Sequence, residues 1–269
     1  MVRKRKSTLK KVLLSLVLMY LMLVTMLTVF QEKLIFLPTV LDANHVFTFE
    51  KPFQEVDIYA QDGARLNGIH FKVQNPKGVV LYFHGNSGDL QRWGQVAADF
   101  TKYNYDVVVM DYRGFGKSTG KRTEKKMYAD AALYYEYVKQ RYPEESIVLY
   151  GRSLGSTFAT YIASKNNPSK LLLETPFYSL SSVAKKRFPI APVKTVLRFH
   201  FPSHKYMQEV ACPVFIIHGT DDNVVPYSSA KQLYEVIAHP QKAFYTIEGG
   251  GHKNLPTYNN YWEVMDNLF

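Results

Sequence analysis

Along most of the chain, short runs of β-branched and other apolar residues alternate with stretches of helical periodicity, a pattern that predicts strands joined by helices. EVDIYA at 55–60 and LNGIHFKV at 66–73 read as a first hairpin, with Asp62-Gly63 supplying its turn. Buried strands follow as GVVLYF at 78–83, DVVVMDY at 106–112, SIVLY at 146–150, KLLLE at 170–174, VFIIH at 214–218 and AFYTIE at 243–248. Helical patterns occupy 90–103, 123–141, 156–166, 228–238 and 258–268. The expectation is an α/β fold, with eight strands in a mostly parallel sheet flanked by helices. No internal repeat or long linker divides 51–269, which reads as one domain. Residues 181–209 break the alternation: they hold no strand-like run, contain Pro189, Pro192 and Pro202, and read as a short helical lid insertion above the sheet.

The amino-terminal pattern is different. Residues 12–30, VLLSLVLMYLMLVTMLTVF, form an uncharged run of 19. At 1.5 Å per residue, a helix of this length with its flanks comes close to spanning a hydrocarbon core of about 30 Å. Before it lies a basic tail at 1–11 with Arg3, Lys4, Arg5, Lys6, Lys10 and Lys11 and no acid. Basic residues before the span and a near-neutral QEK after it predict a cytoplasmic amino end and an extracytoplasmic body. A cleavable signal peptide would have a shorter apolar region ending in a small-x-small site. None follows Phe30, so 12–30 is expected to be an uncleaved, single-pass transmembrane signal anchor. Residues 31–50 read as a membrane-proximal linker, with LIFLP at 34–38 apolar enough to lie at the interface or tuck under the domain.

Composition sharpens this in three places. With 46% hydrophobic and 21% charged residues, the 269-residue chain has the composition of an ordinary folded protein. Its net charge of +10 falls to +4 once the six tail cations are set aside, and residues 181–209 alone carry +5, so the remaining body is slightly acidic. With no recognition motif and no basic face beyond the tail and lid, nucleic-acid binding is not expected. The lid instead mixes Phe188, Ile190, Val193 and Phe199 with Lys185, Lys186 and Arg187, a combination suited to a bilayer with anionic head groups. The single Cys212 excludes an internal disulfide framework and a Cys-rich zinc site, and reads as a packing residue.

The candidate chemistry begins at Gly151-Arg152-Ser153-Leu154-Gly155, a G-x-S-x-G string. Its context gives it weight: it follows the strand SIVLY directly and leads into the helical STFATYIASK, the strand-turn-helix setting of a nucleophile elbow. A serine hydroxyl needs a base oriented by an acid. Where the order is Ser, then Asp or Glu, then His, the acid follows the next-to-last strand and the base the last. VFIIHGTDDNVVP offers Asp221 and Asp222 in the first position, and AFYTIEGGGHKN offers His252 in the second. Donors for an oxyanion are expected from the backbone N–H of Leu154, next to the nucleophile, and of Asn86 in the loop His84-Gly85-Asn86-Ser87-Gly88. His84 and His218 read as residues that bond their own loops.

Together these motifs resemble the α/β-hydrolase superfamily, most closely its amino-terminally anchored serine hydrolases, which include bacterial inner-membrane members and depalmitoylase-like proteins. LIFLP, HGNSG, DYRGFGKSTG at 111, GRSLGS, ETPFYSL at 174, HGTDDNVVP and GGGH occur in the family's order and span almost the whole chain. The resemblance implies an α/β-hydrolase fold, assigns the acid to Asp222 over Asp221, and leaves Asp111 and Arg113 as structural residues. It further implies ester or thioester cleavage through an acyl-enzyme, without a metal or organic cofactor. The alternatives are an aminopeptidase-like amide hydrolase and, from a different class, a catalytically silent membrane-tethered binding module.

Overall fold

The computed structural model describes residues 2–269, with side chains from Thr8 onward. Met1 and the side chains of Arg3, Lys4, Arg5 and Lys6, most of the expected basic tail, lie outside the described residues. The apolar runs become eight strands: β1 (Phe53–Tyr59), β2 (Arg65–Phe71), β3 (Val79–Phe83), β4 (Asp106–Met110), β5 (Ile147–Arg152), β6 (Lys170–Glu174), β7 (Val214–Gly219) and β8 (Lys242–Ile247). They join in one sheet in the order β1-β2-β4-β3-β5-β6-β7-β8. Only the β1–β2 and β2–β4 pairs are antiparallel.

Because successive strand residues point to opposite faces, the buried runs divide into two cores. Leu81, Phe83, Leu149, Leu171 and Ile216 pack beneath α3 (Glu124–Lys139), α4 (Gly155–Ala163) and α8 (Tyr227–Glu235). Val80, Tyr82, Val148, Tyr150 and Leu172 pack against α2 (Leu90–Ala98) and α9 (Asn259–Leu268). Both faces are covered, which is why these strands read as continuous apolar runs rather than alternating ones. Side-chain caps start α2 and α3: Asp89 accepts from the Arg92 N–H, and Thr123 from the Lys126 N–H, each at 3.2 Å. The helix expected over 90–103 changes after Ala98 to a tighter turn, Asp99–Tyr103, which ends at Asn104 with φ of +61°. Cys212 is buried, and burial pushes its thiol pKa up to about 12.

The amino-terminal helix α1 (Val2–Ile35) runs further than the expected span. Its stretch Thr8–Ile35, 28 residues with a mean hydropathy of 2.5, is long and apolar enough to cross a membrane. Residues 31–35, expected to open the linker, are instead its last turns, and they are tied to the lid. The lid itself comprises α5 (Leu180–Arg187), α6 (Val193–Val196) and α7 (Ser203–Met207). Gln31 is buried, its Nε2 donating to the Val196 carbonyl at 3.0 Å and its Oε1 accepting from the Arg198 N–H at 2.7 Å. Glu32 pairs with Arg198 at 3.1 Å and with Arg122 at 3.6 Å. Phe36 follows into the core, meeting Phe199 edge-on at 4.9 Å between centroids. LIFLP therefore tucks against the domain, and its Leu37–Pro38 pairs in parallel with Ser87–Gly88.

Candidate active site

β5 ends at Arg152 and α4 begins at Gly155, so Ser153 occupies the turn between them with φ of +52°, a conformation that costs energy for any residue but glycine. The two flanking glycines answer to close approach. A Cβ on Gly155 would lie 1.9 Å from the Phe83 carbonyl oxygen, and one on Gly151 would lie 2.6 Å from the Ser156 Cα. The Ser153 side chain consequently emerges at the carboxyl end of the sheet beside β3, where the chain turns from the β4 side to the β5 side, the position at which open α/β sheets bind ligands.

Asp222 arrives on the loop after β7. Its Oδ1 accepts from the Val224 and Val225 amides, both at 2.8 Å, which fixes the carboxyl plane. Its Oδ2 faces His252 Nδ1 at 2.7 Å and His218 Nε2 at 3.3 Å. Burial by itself would raise the Asp222 pKa, but the hydrogen bonds from His218, His252 and Val225 outweigh it and hold the carboxyl well below its usual range. His252 comes on the glycine-rich loop after β8, held by an N–H of Gly251 donating to Asn254 Oδ1 at 2.7 Å. A carboxylate can only accept, so the proton resides on His252 Nδ1, and Nε2 is left to accept from the Ser153 hydroxyl at 2.9 Å. The structure thus brings Ser153, His252 and Asp222 into one hydrogen-bonded chain. The Asp221 side chain is exposed and bonds only to the neighbouring Thr220 hydroxyl, at 3.2 Å.

Asn86 and Leu154 both line the cavity above Ser153. Among the described residues, neither backbone N–H donates to a protein acceptor. His84 lies beneath this loop, with the Gly85 carbonyl 2.6 Å from Nδ1 and Asp111 Oδ1 3.1 Å from Nε2. Asp111 also accepts from the Leu90 N–H at 3.0 Å, and its carboxyl pKa is raised by burial. Arg113 forms a two-pronged pair with Asp130, at 2.6 and 2.8 Å. Both motif residues therefore brace loops, and neither is among the residues lining the cavity.

Two groups that sequence reasoning missed adjoin the site. Leu34 and Ile35 of α1 line the cavity of about 560 Å³ beside Leu154, Phe177, Leu180 and Leu197. The apolar LIFLP pattern left the segment either at the membrane interface or tucked under the domain, and no local pattern says against what it packs. Beneath the site, Arg152 Nε lies 3.2 Å from buried Glu174, whose other oxygen accepts from the Tyr150 hydroxyl at 2.5 Å. Arg152 also points toward the carbonyls of His252 and Lys253 at 3.5 and 3.4 Å, supporting the histidine loop from below. Among the described residues there is no group of three or more His, Cys, Asp and Glu able to hold a metal ion.

The family model described as "Serine aminopeptidase, S33" matches residues 74–205 and 193–256, more than half of the chain and every residue of the hydrogen-bonded chain. The chain belongs to this family of α/β hydrolases. An uncharacterized protein of Mycobacterium tuberculosis is 30% identical over 228 residues, covering 83% of this chain and 81% of that protein. Human alpha/beta hydrolase domain-containing protein 17B is 32% identical over 197 residues, 71% of this chain and 66% of that protein. Among solved structures, an esterase of Pyrococcus furiosus superposes with a TM-score of 0.67 at 22% identity, covering 87% of this chain and 96% of its own. That likeness identifies the fold, an α/β-hydrolase sheet with flanking helices. In this hydrolase the fold carries an additional apolar helix at the amino terminus.

Proposed function

We propose that this protein is a membrane-anchored serine hydrolase that cleaves carboxylic ester or thioester bonds through a Ser153-His252-Asp222 triad. The observation that carries the reading is the continuous chain from Asp222 through His252 to Ser153, at 2.7 and 2.9 Å, opening into an apolar cavity next to two amides without a protein acceptor. As Ser153 Oγ attacks the acyl carbonyl, its proton passes to His252 Nε2, and Asp222 stabilises the imidazolium. The Leu154 and Asn86 amides receive the oxyanion, aided by the amino end of α4. His252 then gives the proton to the departing oxygen or sulfur and the bond to the acyl carbon breaks. Water, deprotonated by His252, attacks the acyl-Ser153 ester and frees the carboxylic acid and the enzyme.

The family description also raises amide cleavage at a free amino terminus. The cavity speaks for esters: its only acidic lining residue is Asp222, already engaged with His252, whereas Lys186 and Arg187 stand at its wall. An α-ammonium group would find no counter-charge there. The uncharged stretch of α1, preceded by basic residues, supports a cytoplasmic amino end with the hydrolase domain beyond the bilayer.

A fluorophosphonate probe tests the chemistry. Wild type is expected to be labelled and Ser153→Ala to be silent, and equal labelling of both would overturn the assignment. A panel of acyl esters, thioesters and aminoacyl amides then ranks the bonds cleaved, faster turnover of aminoacyl amides favouring the aminopeptidase reading.

A further inference from the structure

A second, smaller cavity of about 70 Å³ lies between α1 and the lid. It shares Leu34, Ile35, Ala184, Phe188 and Leu197 with the wall of the Ser153 cavity, so the two adjoin along one apolar wall. Beyond the shared residues the smaller cavity is lined by Leu27, Gln31, Ala191, Val193 and Val196. Gln31 is the only polar member, and its side chain is already committed, donating to the Thr28 and Val196 carbonyls and accepting from the Arg198 amide. Nothing along this stretch offers a polar group to a ligand, which matches the chemistry of a hydrocarbon chain and no other common ligand.

The direction of the groove follows from helix geometry. Leu27, Gln31 and Leu34 lie at spacings of four and three, on one face of α1. From Leu34 back to Leu27 the groove advances about 10 Å along the helix axis. It leads away from Ser153 toward the turns of α1 whose other faces, such as Met26 and Val29, at 54% and 61% exposure, have only lipid to cover them in a membrane. The Tyr20 hydroxyl donates to the Ile190 carbonyl at 3.1 Å, and with the Gln31 and Glu32 contacts this holds the lid against the helix along the groove's length.

We infer that the groove between α1 and the lid is the acyl-chain subsite, and that the substrate is a long-chain acyl ester or thioester that reaches Ser153 sideways from the bilayer. The transmembrane helix is then a wall of the substrate site as well as a tether. This rests on the serine-hydrolase reading above.

The test uses the full chain in mixed micelles with p-nitrophenyl butanoate and p-nitrophenyl hexadecanoate. Leu27→Trp and Ala184→Trp each fill the groove from one wall, and each is expected to lower the hexadecanoate-to-butanoate ratio of kcat/KM by about tenfold or more, the worth of burying two methylenes. Val29→Trp, on the lipid side of the same helix, is expected to leave that ratio as in wild type. An unchanged ratio in both groove variants that still hydrolyse butanoate, or an equal fall in Val29→Trp, overturns the subsite and leaves the hydrolase reading standing. Failure of wild type to hydrolyse either ester or to label at Ser153 overturns both.

Discussion

The Asn86 side chain holds the end of the amino-terminal helix: its Nδ2 donates to the Ile35 carbonyl at 2.7 Å, while the Asn86 carbonyl accepts the Leu37 N–H at 2.8 Å. The Ile35 carbonyl is one of the acceptors that a helix leaves unpaired at its carboxyl end. One residue thus caps α1 and carries an amide that we assign to the oxyanion. Asn86→Ala keeps that amide but releases the loop. With a hydrogen bond worth about 1 kcal/mol, kcat is expected to fall about five- to tenfold, with a smaller change in KM. Steady-state ester hydrolysis by the full chain measures both.

Asp222 and Asp221 are adjacent in sequence and opposite in environment. Asp222→Asn leaves a neutral amide facing His252 Nδ1 and is expected to lower kcat by about 10³- to 10⁴-fold, by losing both the tautomer and the imidazolium's partner. Asp221→Asn, at an exposed carboxylate with only a Thr220 contact, is expected to stay within about twofold of wild type. Equal losses in the two variants would refute the assignment of the acid.

Gly155 and Gly63 separate two reasons for a glycine. At Gly155 a methyl group would collide with the Phe83 backbone, which the sheet holds in place, and Gly155→Ala is expected to cost more than about 3 kcal/mol or prevent folding. Gly63, in the β1–β2 turn at φ of +77°, has nothing within 4 Å, and Gly63→Ala is expected to cost about 1 kcal/mol from backbone conformation alone. Denaturant unfolding of the two variants provides the comparison.

His70, buried in β2, sits between the Tyr137 and Tyr142 hydroxyls, each 3.0 Å from a ring nitrogen, with Asp106 at 3.5 Å. Burial, reinforced by Lys72, outweighs the attraction of Asp106 and lowers its pKa from 6.5 to about 4. Between those values the unfolded chain binds a proton that the folded chain refuses. This contribution to stability is therefore intact above about pH 6.5, is lost as pH falls toward about 4, and reaches about 3 kcal/mol. Urea unfolding of wild type and His70→Gln at about pH 7 and about pH 4.5 is expected to reveal a steeper loss in wild type; parallel behaviour would exclude it.

Much of the sheet was legible in the chain because strands buried on both faces leave unbroken apolar runs. KLLLE at 170–174 became β6 with the expected bounds, and the other strands shifted by one or two residues at their ends. Helix ends were less legible. The lid contacts that took up the last turns of α1 depend on partners distant in sequence.

The order of elements, the turn at Ser153, the loops that carry Asp222 and His252, and an apolar amino-terminal segment of membrane-spanning length were all legible in local sequence. Each is a local matter of periodicity, turn chemistry or hydropathy. Strand position left Asp221 and Asp222 both open and the family pattern favoured Asp222; the physical reason that Asp222 turns inward is tertiary, the reach of the Val224 and Val225 amides and of His218. Tertiary structure alone decided that Leu34 and Ile35 line the cavity over Ser153, because residues about 120 positions apart meet only when the end of α1 is bound to the loop at Asn86 and to the lid. Hydrophobic pattern says that a face will be buried, and only the packing of distant elements says against what.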